Sequence, residues 1–389
     1  MGIGAIHKLL RDDFFSTVFI YDIDHSKLHD AYLYCKNILK EEEFLKLKCI
    51  ERNPLEGELS LNWFDDIDVI IATMPWEPTK NLIFRLLSLN SSLPIISITR
   101  PQYDDVLILK QKLETSNMSV ILGAGLEPGL TEILAHYAVK NLDIVKELHI
   151  RCGGLPKNKD NLLGYKSVFG GKILPFGIRN AYQYKDGQLI ALPRFSEVER
   201  FKFKHIDNLE VWNDGLLPWF PDHWKFKNLE ICTQKTIRWA GYAGIIHILR
   251  DLGFLNEDPI VNTNKNILLS PKQMTEEILH PLVKFTDKDR DMVLFQVEAV
   301  GLKKEIPFKV KIEMLDEYDE VNNMTSMARM TGFTVAILSK LLVQLCSEIK
   351  GLIKVDSFIT GDLTEYLLEE LKREDITFEI TESKKITYS

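Results

Sequence analysis

Residues 120–131 combine glycines and a carboxylate at one turn, and this combination could bind a ligand. The apolar residues before Gly123 predict the end of a buried strand, and the residues from Pro128 onward predict a helix. Gly123 and Gly125 let the chain turn tightly and let a ligand approach the backbone. Ligands of open α/β sheets bind at the carboxyl ends of strands, so Glu127 is a candidate ligand residue. The alternative is an ordinary strand–helix turn in which Glu127 caps the helix.

Gly2 and Asp22 have a spacing that could bind a dinucleotide. A helix from Gly2 leads to a short strand that ends at Asp22, about 20 residues on, as in the second half of a dinucleotide-binding motif. Asp22 would bind ribose hydroxyls and favour NAD over NADP, because a carboxylate repels a 2′-phosphate. Asp24 is the rival for that position, and a plain helix–strand unit with a capping aspartate is the alternative for the whole pattern.

The elements around these residues alternate between apolar strands and helices. The predicted strands cover residues 17–21, 68–72, 94–98 and 119–122. Helical segments lie between them at residues 27–47, 82–89 and 106–115. This alternation predicts an α/β domain of the Rossmann type, with a parallel sheet and helices on both faces.

The pattern changes after the helix that follows Pro128. From residue 148 to residue 313 the sequence holds short strand-like runs and many aromatic residues, without a long helical repeat. Apolar and polar residues that alternate with a period of two predict antiparallel strands with one solvated face. We therefore expect an inserted α+β domain, and the family resemblance described below implies that it binds substrate and forms the dimer contact.

The end of the chain predicts two more helices and a strand. The helix at residues 326–342 has small residues on one side, so we expect it to return to the first domain. The predicted domains are a Rossmann-like domain at residues 1–127 with a return helix at 320–350, an α+β domain at 128–319, and a C-terminal segment at 351–389.

Composition argues against several classes of partner. The 389 residues carry a net charge of −8, whereas a nucleic-acid surface needs clustered lysine and arginine. The five cysteines form no CxxC pair, which predicts neither a metal site nor a disulfide framework. No signal peptide opens the sequence, and no apolar run reaches the roughly 18 residues of a membrane span. We expect a cytoplasmic protein without metal, nucleic acid or membrane partners.

Five segments together resemble the saccharopine dehydrogenase family, and most closely its branch similar to lysine 6-dehydrogenase. They are GAGLEPG at residues 123–129, CGGLPKNKDNLLGYK at 152–166, KTIR at 235–238, TSMARMTGF at 325–333, and residues 362–379. The resemblance implies an NAD(P)-dependent oxidoreductase that acts on a C–N bond of an amino acid in lysine metabolism. It also implies a homodimer or a dimer of dimers. Its predicted cofactor contacts are Gly2, Asp22, Thr73, Pro75, Gly123, Gly125 and Glu127.

The sequence departs from the family pattern at two places. The family opens with a strand and a complete glycine fingerprint, whereas Gly2 corresponds to the last glycine of that fingerprint. The branch has a histidine after KTIR where this sequence has Tyr242, which removes a group that titrates near neutral pH. The substrate and the proton carrier therefore stay open.

The implied hydride transfer needs a carboxylate clamp, a base and groups that orient the substrate. Arg238 is the predicted clamp, because its planar fork pairs with a carboxylate through two bonds; an interdomain salt bridge is the alternative. Lys166 could exchange a proton if it were desolvated near Arg238, and otherwise it is a solvated loop lysine. Tyr165 and Tyr242 could orient substrate through their hydroxyl groups, or they could be structural.

Two further residues are candidates for the functional site, and two alternative functions stay open. Arg100 could meet cofactor or substrate, and His223 could titrate, although exposed arginines and structural histidines are more common. One alternative function is a relic or regulatory protein that keeps the fold with an impaired cofactor site. The other is a carboxynorspermidine-type polyamine enzyme.

Overall fold

The computed structural model describes residues 1–168, 174–217, 219–220, 224–259, 269–345 and 349–384. The elements up to residue 139 are α1 (Gly2–Arg11), β1 (Val18–Asp22), α2 (His25–Ile38), α3 (Glu41–Phe44), β2 (Leu47–Glu51), β3 (Ile70–Ala72), α4 (Trp76–Ser88), β4 (Ile95–Ser97), α5 (Tyr103–Leu113), β5 (Ser119–Leu122) and α6 (Leu130–Val139). The next elements are β6 (Ile144–Pro156), β7 (Asn180–Lys185), β8 (Gln188–Pro193), β9 (Glu199–Phe203), β10 (Ile206–Asn213), β11 (Ile231–Trp239), α7 (Tyr242–Asp251), α8 (Pro271–Val283), β12 (Asp291–Lys303) and β13 (Ile306–Glu317). The last are α9 (Ser326–Leu345), β14 (Gly351–Lys354), α10 (Val355–Phe358), α11 (Asp362–Lys372) and β15 (Glu379–Lys384).

The chain forms two compact units that interleave along the sequence. Unit 1 comprises residues 1–137 and 319–377, and unit 2 comprises residues 138–318 and 378–389. These bounds differ from the predicted domains: unit 1 extends ten residues beyond residue 127, and the predicted C-terminal segment is divided between the units. The division has a simple cause, since β14 pairs with β5 of unit 1 and β15 pairs with β13 of unit 2.

Unit 1 contains parallel strands, as the alternating pattern predicts. In the described part of the chain they form a four-stranded sheet in the order β14-β5-β4-β3 and a separate pair, β1 and β2. Strands β4 and β5 are buried along their whole length, which is typical of parallel strands covered on both faces. Strand β2 was not predicted, because the predicted helical segment ended at residue 47, where this strand begins. Only two of its five residues are even half-buried, so it lacks the apolar run that marks its neighbours.

Helix α1 lies directly against the core helix α9 of unit 1. A side chain on Gly332 would collide with the backbone amide of Ala5, and one on Gly4 would collide with the carbonyl of Ala328. Contact at this range needs glycine, because any Cβ would hold the two backbones apart. By length and composition alone helix α9 could cross a membrane, but 89% of that stretch is buried. Such burial is typical of a core helix.

Unit 2 is built on one large sheet. In the described residues it has nine strands, with the order β15-β13-β12-β6-β11-β10-β9 and the hairpin β7–β8 attached to β11. Strands β6 and β11 run parallel and the other pairs are antiparallel, so the sheet is mixed where the sequence predicted antiparallel strands. The sequence also predicted no long helix in this part, yet α7 and α8 lie here. Proline inside α8 and exposed apolar side chains on both helices obscure the helical pattern.

Candidate active site

Gly2 and Thr73, both predicted to contact the cofactor, are neighbours in unit 1. A Cβ atom on Gly2 would lie 3.2 Å from Oγ1 of Thr73, so the start of α1 is next to the loop after β3. Pro75 follows in that loop and is exposed, as the residue before α4. A helix N-terminus with a small residue and a nearby hydroxyl suits the phosphates of a dinucleotide. These residues therefore fit the predicted cofactor.

Asp22 ends β1, the position expected of a ribose ligand. Its carboxylate accepts a hydrogen bond from the amide of Asp24 at 3.0 Å. Asp24 itself caps α2 by accepting from the amide of Ser26 at 2.9 Å. The capping role therefore belongs to Asp24, and Asp22 stays the predicted ribose ligand. Arg52 lies close to it, since its amide donates to the carbonyl of Asp22 and its guanidinium stacks on Trp63 at 4.2 Å.

The turn after β5 is compact, as its glycines predict. The amide of Gly125 donates to the carbonyl of Pro128 at 2.9 Å, and that of Leu130 returns to the carbonyl of Gly125 at 2.9 Å. Gly129 has a φ of +133°, which favours glycine. The prediction that the helix begins at Pro128 is wrong, because α6 begins at Leu130 after this turn.

A buried carboxylate holds this turn, but it is not the predicted one. Glu132 accepts hydrogen bonds from the amide of Gly129 at 2.7 Å and the hydroxyl of Thr131 at 2.6 Å. Burial raises the pKa of Glu132, and the guanidinium of Arg100 acts in the opposite direction. Arg100 therefore lies near Glu132. Glu127 is half-buried in the same turn and stays a predicted ligand residue.

In unit 2 the structure brings Arg238, Tyr165 and Tyr242 together with Trp212, and we call these four residues the polar cluster. Trp212 on β10 and Arg238 on β11 come from paired strands, and Tyr242 begins α7. The Arg238 guanidinium lies 5.7 Å from the Tyr165 ring and 5.9 Å from the Tyr242 ring. The Trp212 and Tyr242 rings stack with centroids 6.1 Å apart. Three of the four site residues predicted in this unit therefore share one location.

The polar cluster carries buried groups that lack hydrogen-bond partners. Among the described residues no partner with good hydrogen-bond geometry is present for the hydroxyls of Tyr165 and Tyr242, the indole nitrogen of Trp212 or Nε of Arg238, although the Ser167 hydroxyl lies near enough to that of Tyr165 to lower its pKa. All four side chains are buried, with at most 7% of any one exposed. A buried polar group without a partner costs about 1–3 kcal/mol, so four in one place are unusual. A ligand rich in hydrogen-bond acceptors would satisfy them.

Arg238 is buried without a carboxylate partner in the described part of the chain. Among the described residues its guanidinium donates one hydrogen bond, from Nη1 to the carbonyl of Ile237 at 2.8 Å. The alternative expectation, an interdomain salt bridge, has no partner for Arg238 among the described residues. A buried guanidinium normally pairs with an anion, because desolvation of an isolated charge is expensive. The arrangement suits a substrate carboxylate.

The two tyrosines of the polar cluster are hydrogen-bond donors at neutral pH. Burial raises the pKa of Tyr165 to about 12, although the Arg238 guanidinium acts in the opposite direction. Burial also raises the pKa of Tyr242, again against the effect of Arg238. Both phenols stay protonated near neutral pH and cannot take a proton from an amine there. They suit the orienting role predicted for them.

Lys166 does not join the polar cluster. Its ammonium lies 3.2 Å from the carboxylate of Asp289 and 3.4 Å from the carbonyl of Lys284. The predicted proton exchange required a desolvated amine near Arg238, whereas this ammonium pairs with Asp289. The structure therefore contradicts the premise that Lys166 lies unpaired near Arg238. The reason is Asp289, which lies 123 positions further along the chain than Lys166.

Trp212 was missed by the sequence analysis, and His223 lies outside the described residues. Trp212 stands in an alternating run on β10, where a large aromatic residue reads as core. The sequence does not show that the indole nitrogen of Trp212 lies among other polar groups, because this depends on the pairing of β10 with β11. Ser167, two residues after Tyr165, was also missed, and its buried hydroxyl lies near that of Tyr165.

Tyr242→Phe is expected to stabilise the protein. The substitution removes a buried hydroxyl without a partner and keeps the ring contacts, so we expect the free energy of unfolding to rise by about 1 kcal/mol. Calorimetry measures the change in Tm. As a control, Tyr137→Phe removes a hydroxyl that donates to Glu365 at 2.8 Å and should lower stability. A clear loss of stability in Tyr242→Phe would mean that the hydroxyl is satisfied in solution.

Comparison with known proteins decides the family. A family model described as the saccharopine dehydrogenase C-terminal domain matches residues 125–376. The chain belongs to the saccharopine dehydrogenase family. The glutamate-forming, NADP-linked saccharopine dehydrogenase of Saccharomyces cerevisiae is 23% identical, and the match covers 79% of this chain and 82% of that protein. The corresponding enzyme of Pyricularia oryzae is 24% identical over 49% of this chain and 44% of that protein.

A solved structure supports the same fold. Saccharopine dehydrogenase from Saccharomyces cerevisiae, in its apo form, matches with a TM-score of 0.74 and 18% identity, over 98% of both chains. The predicted family, the α/β fold class, the oxidoreductase class and the use of NAD(P) are thereby confirmed. The relic and polyamine alternatives are not favoured. The lysine 6-dehydrogenase-like branch stays a prediction.

Proposed function

We propose that this saccharopine dehydrogenase family protein oxidises saccharopine itself, in the glutamate-forming sense. Its relatives in Saccharomyces cerevisiae and Pyricularia oryzae are named for this reaction. The observation that carries the proposal is the buried Arg238, which has no carboxylate partner among the described residues and lies beside two unpaired tyrosine hydroxyls. Saccharopine presents three carboxylates, so it offers the acceptors that the polar cluster lacks.

The chemistry breaks one C–N bond of the secondary amine. A hydride leaves the carbon on the lysine side of the nitrogen, the amine loses its proton, and a C=N double bond forms. Water adds to that carbon, the C–N bond breaks, glutamate leaves with the nitrogen, and an aldehyde remains. NAD(P), when bound, takes up the hydride. The net reaction consumes saccharopine, the oxidised cofactor and water, and yields glutamate, aldehyde, reduced cofactor and a proton.

The residues of unit 2 bind and orient the substrate in this proposal. The Arg238 fork pairs with one carboxylate, and the hydroxyls of Tyr165 and Tyr242 donate to the same or a neighbouring carboxylate. Holding the reacting carbon in place lowers the entropic cost of the hydride step. The high pKa values of both tyrosines assign the proton transfer to another group. Glu127 stays a predicted contact of the cofactor.

The test is an assay of purified protein with saccharopine and either cofactor. We expect formation of reduced cofactor, and glutamate in equal amount, with no turnover of lysine or of polyamine conjugates. Asp22 predicts a preference for NAD over NADP of about tenfold in kcat/KM, which Asp22→Asn should reduce. A preference for NADP would instead point to Arg52 beside it. Turnover of lysine but not saccharopine would contradict the proposal.

A further inference from the structure

Glu210 lies beside the polar cluster and bonds on both sides of Tyr242. One carboxylate oxygen accepts from the amide of Gly241 at 2.8 Å, and the other accepts from the amide of Ala243 at 2.7 Å. Glu210 is 6% exposed, so these bonds form away from solvent. A carboxylate on the first amides of a helix is a strong cap, because charge and helix dipole both favour it. The first turn of α7, and with it Tyr242, is fixed by this one side chain.

The same carboxylate is the direct cross-strand neighbour of Arg238. Glu210 on β10 pairs in register with Arg238 on β11, and residues opposed in this way project from the same face of a sheet. Opposite charges at such positions normally form an ion pair. Here both oxygens of Glu210 are used by amides, and among the described residues no ion pair joins Glu210 and Arg238. Glu210 therefore does not neutralise the guanidinium that lies opposite it in the sheet.

We propose that Glu210 is a positioning residue for the substrate, and this rests on the proposed function. By bonding to the amides of Gly241 and Ala243 it holds the Tyr242 ring, whose centroid lies 5.9 Å from the Arg238 guanidinium, and among the described residues it forms no ion pair with Arg238 itself. Glu210 touches neither cofactor nor reacting atoms in this role. Its effect on saccharopine passes through Tyr242, and that dependence can be measured.

A double-mutant cycle between Glu210→Gln and Tyr242→Phe tests this dependence. Glutamine keeps one acceptor but turns an NH2 donor toward the second amide, so the first turn of α7 should shift. We expect each single variant to lower kcat/KM for saccharopine about tenfold. If Glu210 acts through Tyr242, the double variant should also lose about tenfold, not the hundredfold of independent effects. A purely structural role would give additive losses.

Two further variants keep the test decisive. Glu210→Asp keeps the charge but shortens the reach, and it should reproduce the loss; it replaces the glutamine variant if that one does not fold. Glu276→Gln is the matched control, because Glu276 is also a buried carboxylate that accepts from a backbone amide, that of Leu174 at 3.2 Å. We expect it to change kcat/KM less than twofold, even if it lowers Tm.

The outcomes separate this inference from the proposed function. An active wild type whose Glu210 variants are unaffected, or combine additively with Tyr242→Phe, overturns the inference alone. A lower KM in Glu210→Gln also overturns it, since that would show that Glu210 acts by charge. A wild type that neither turns over saccharopine nor binds it in calorimetric titration overturns both.

Discussion

Arg238→Met is expected to lower kcat/KM for saccharopine about a thousandfold, mostly through KM. Methionine keeps the length of the side chain but removes the charge and the planar fork. Loss of one partner from a buried, hydrogen-bonded charge pair costs about 2–5 kcal/mol, which corresponds to this range. Steady-state kinetics with saccharopine measures the effect. Arg238→Lys should recover only part of the activity, because an ammonium cannot pair with a carboxylate through two parallel bonds.

Stability provides the control for this variant. Arg238 has no carboxylate partner among the described residues, so its replacement by an apolar side chain should leave Tm unchanged or raise it. Arg194 offers the contrast, because its Nε lies 2.5 Å from the carboxylate of Asp214. Arg194→Met should lower the free energy of unfolding by about 2 kcal/mol, since Asp214 keeps a second partner in Arg179. Equal destabilisation by both variants would mean that Arg238 has a structural role.

Gly332→Ala is expected to destabilise unit 1 by about 3 kcal/mol. The new methyl group would meet the backbone amide of Ala5 and the backbone of Gly4, and neither can move without shifting α1 as a whole. Calorimetry should show one transition moved to lower temperature. Gly244→Ala is the matched control: it is also a helical glycine, and nothing lies within 4 Å of its new methyl group. It should be neutral or stabilise the protein by up to about 1 kcal/mol.

The parallel strands of unit 1 could be predicted because strands that are buried on both faces need continuous runs of apolar residues. Strands β3, β4 and β5 appear as apolar runs between polar turns, and the structure confirms them. Strand β2 was not predicted from the sequence. In the described part of the chain it pairs with β1 alone, and two of its five residues are charged. The start of α6 was displaced by two residues because the turn 123–129 closes on itself before the helix begins.

The site was predictable in residue type and only partly in geometry. Arg238, Tyr165 and Tyr242 were recognisable as donors at family motifs, and the structure brings them together. Two features depend on contacts between distant segments: the register that sets Glu210 opposite Arg238, and the approach of Asp289 to Lys166. Periodicity and composition carry no information on either. The use of Glu210 as a cap could not be inferred for the same reason.

Because the two units interleave along the sequence, each sheet needs a strand that is synthesised late. Strand β14 completes the sheet that contains β5, and β15 completes the sheet that contains β13, so each unit gains a strand only after residue 350. A nascent chain that stops earlier would expose two unpaired sheet edges, which are sites of aggregation. Products that lack residues 351–384 are therefore expected to be cleared and not to keep partial activity.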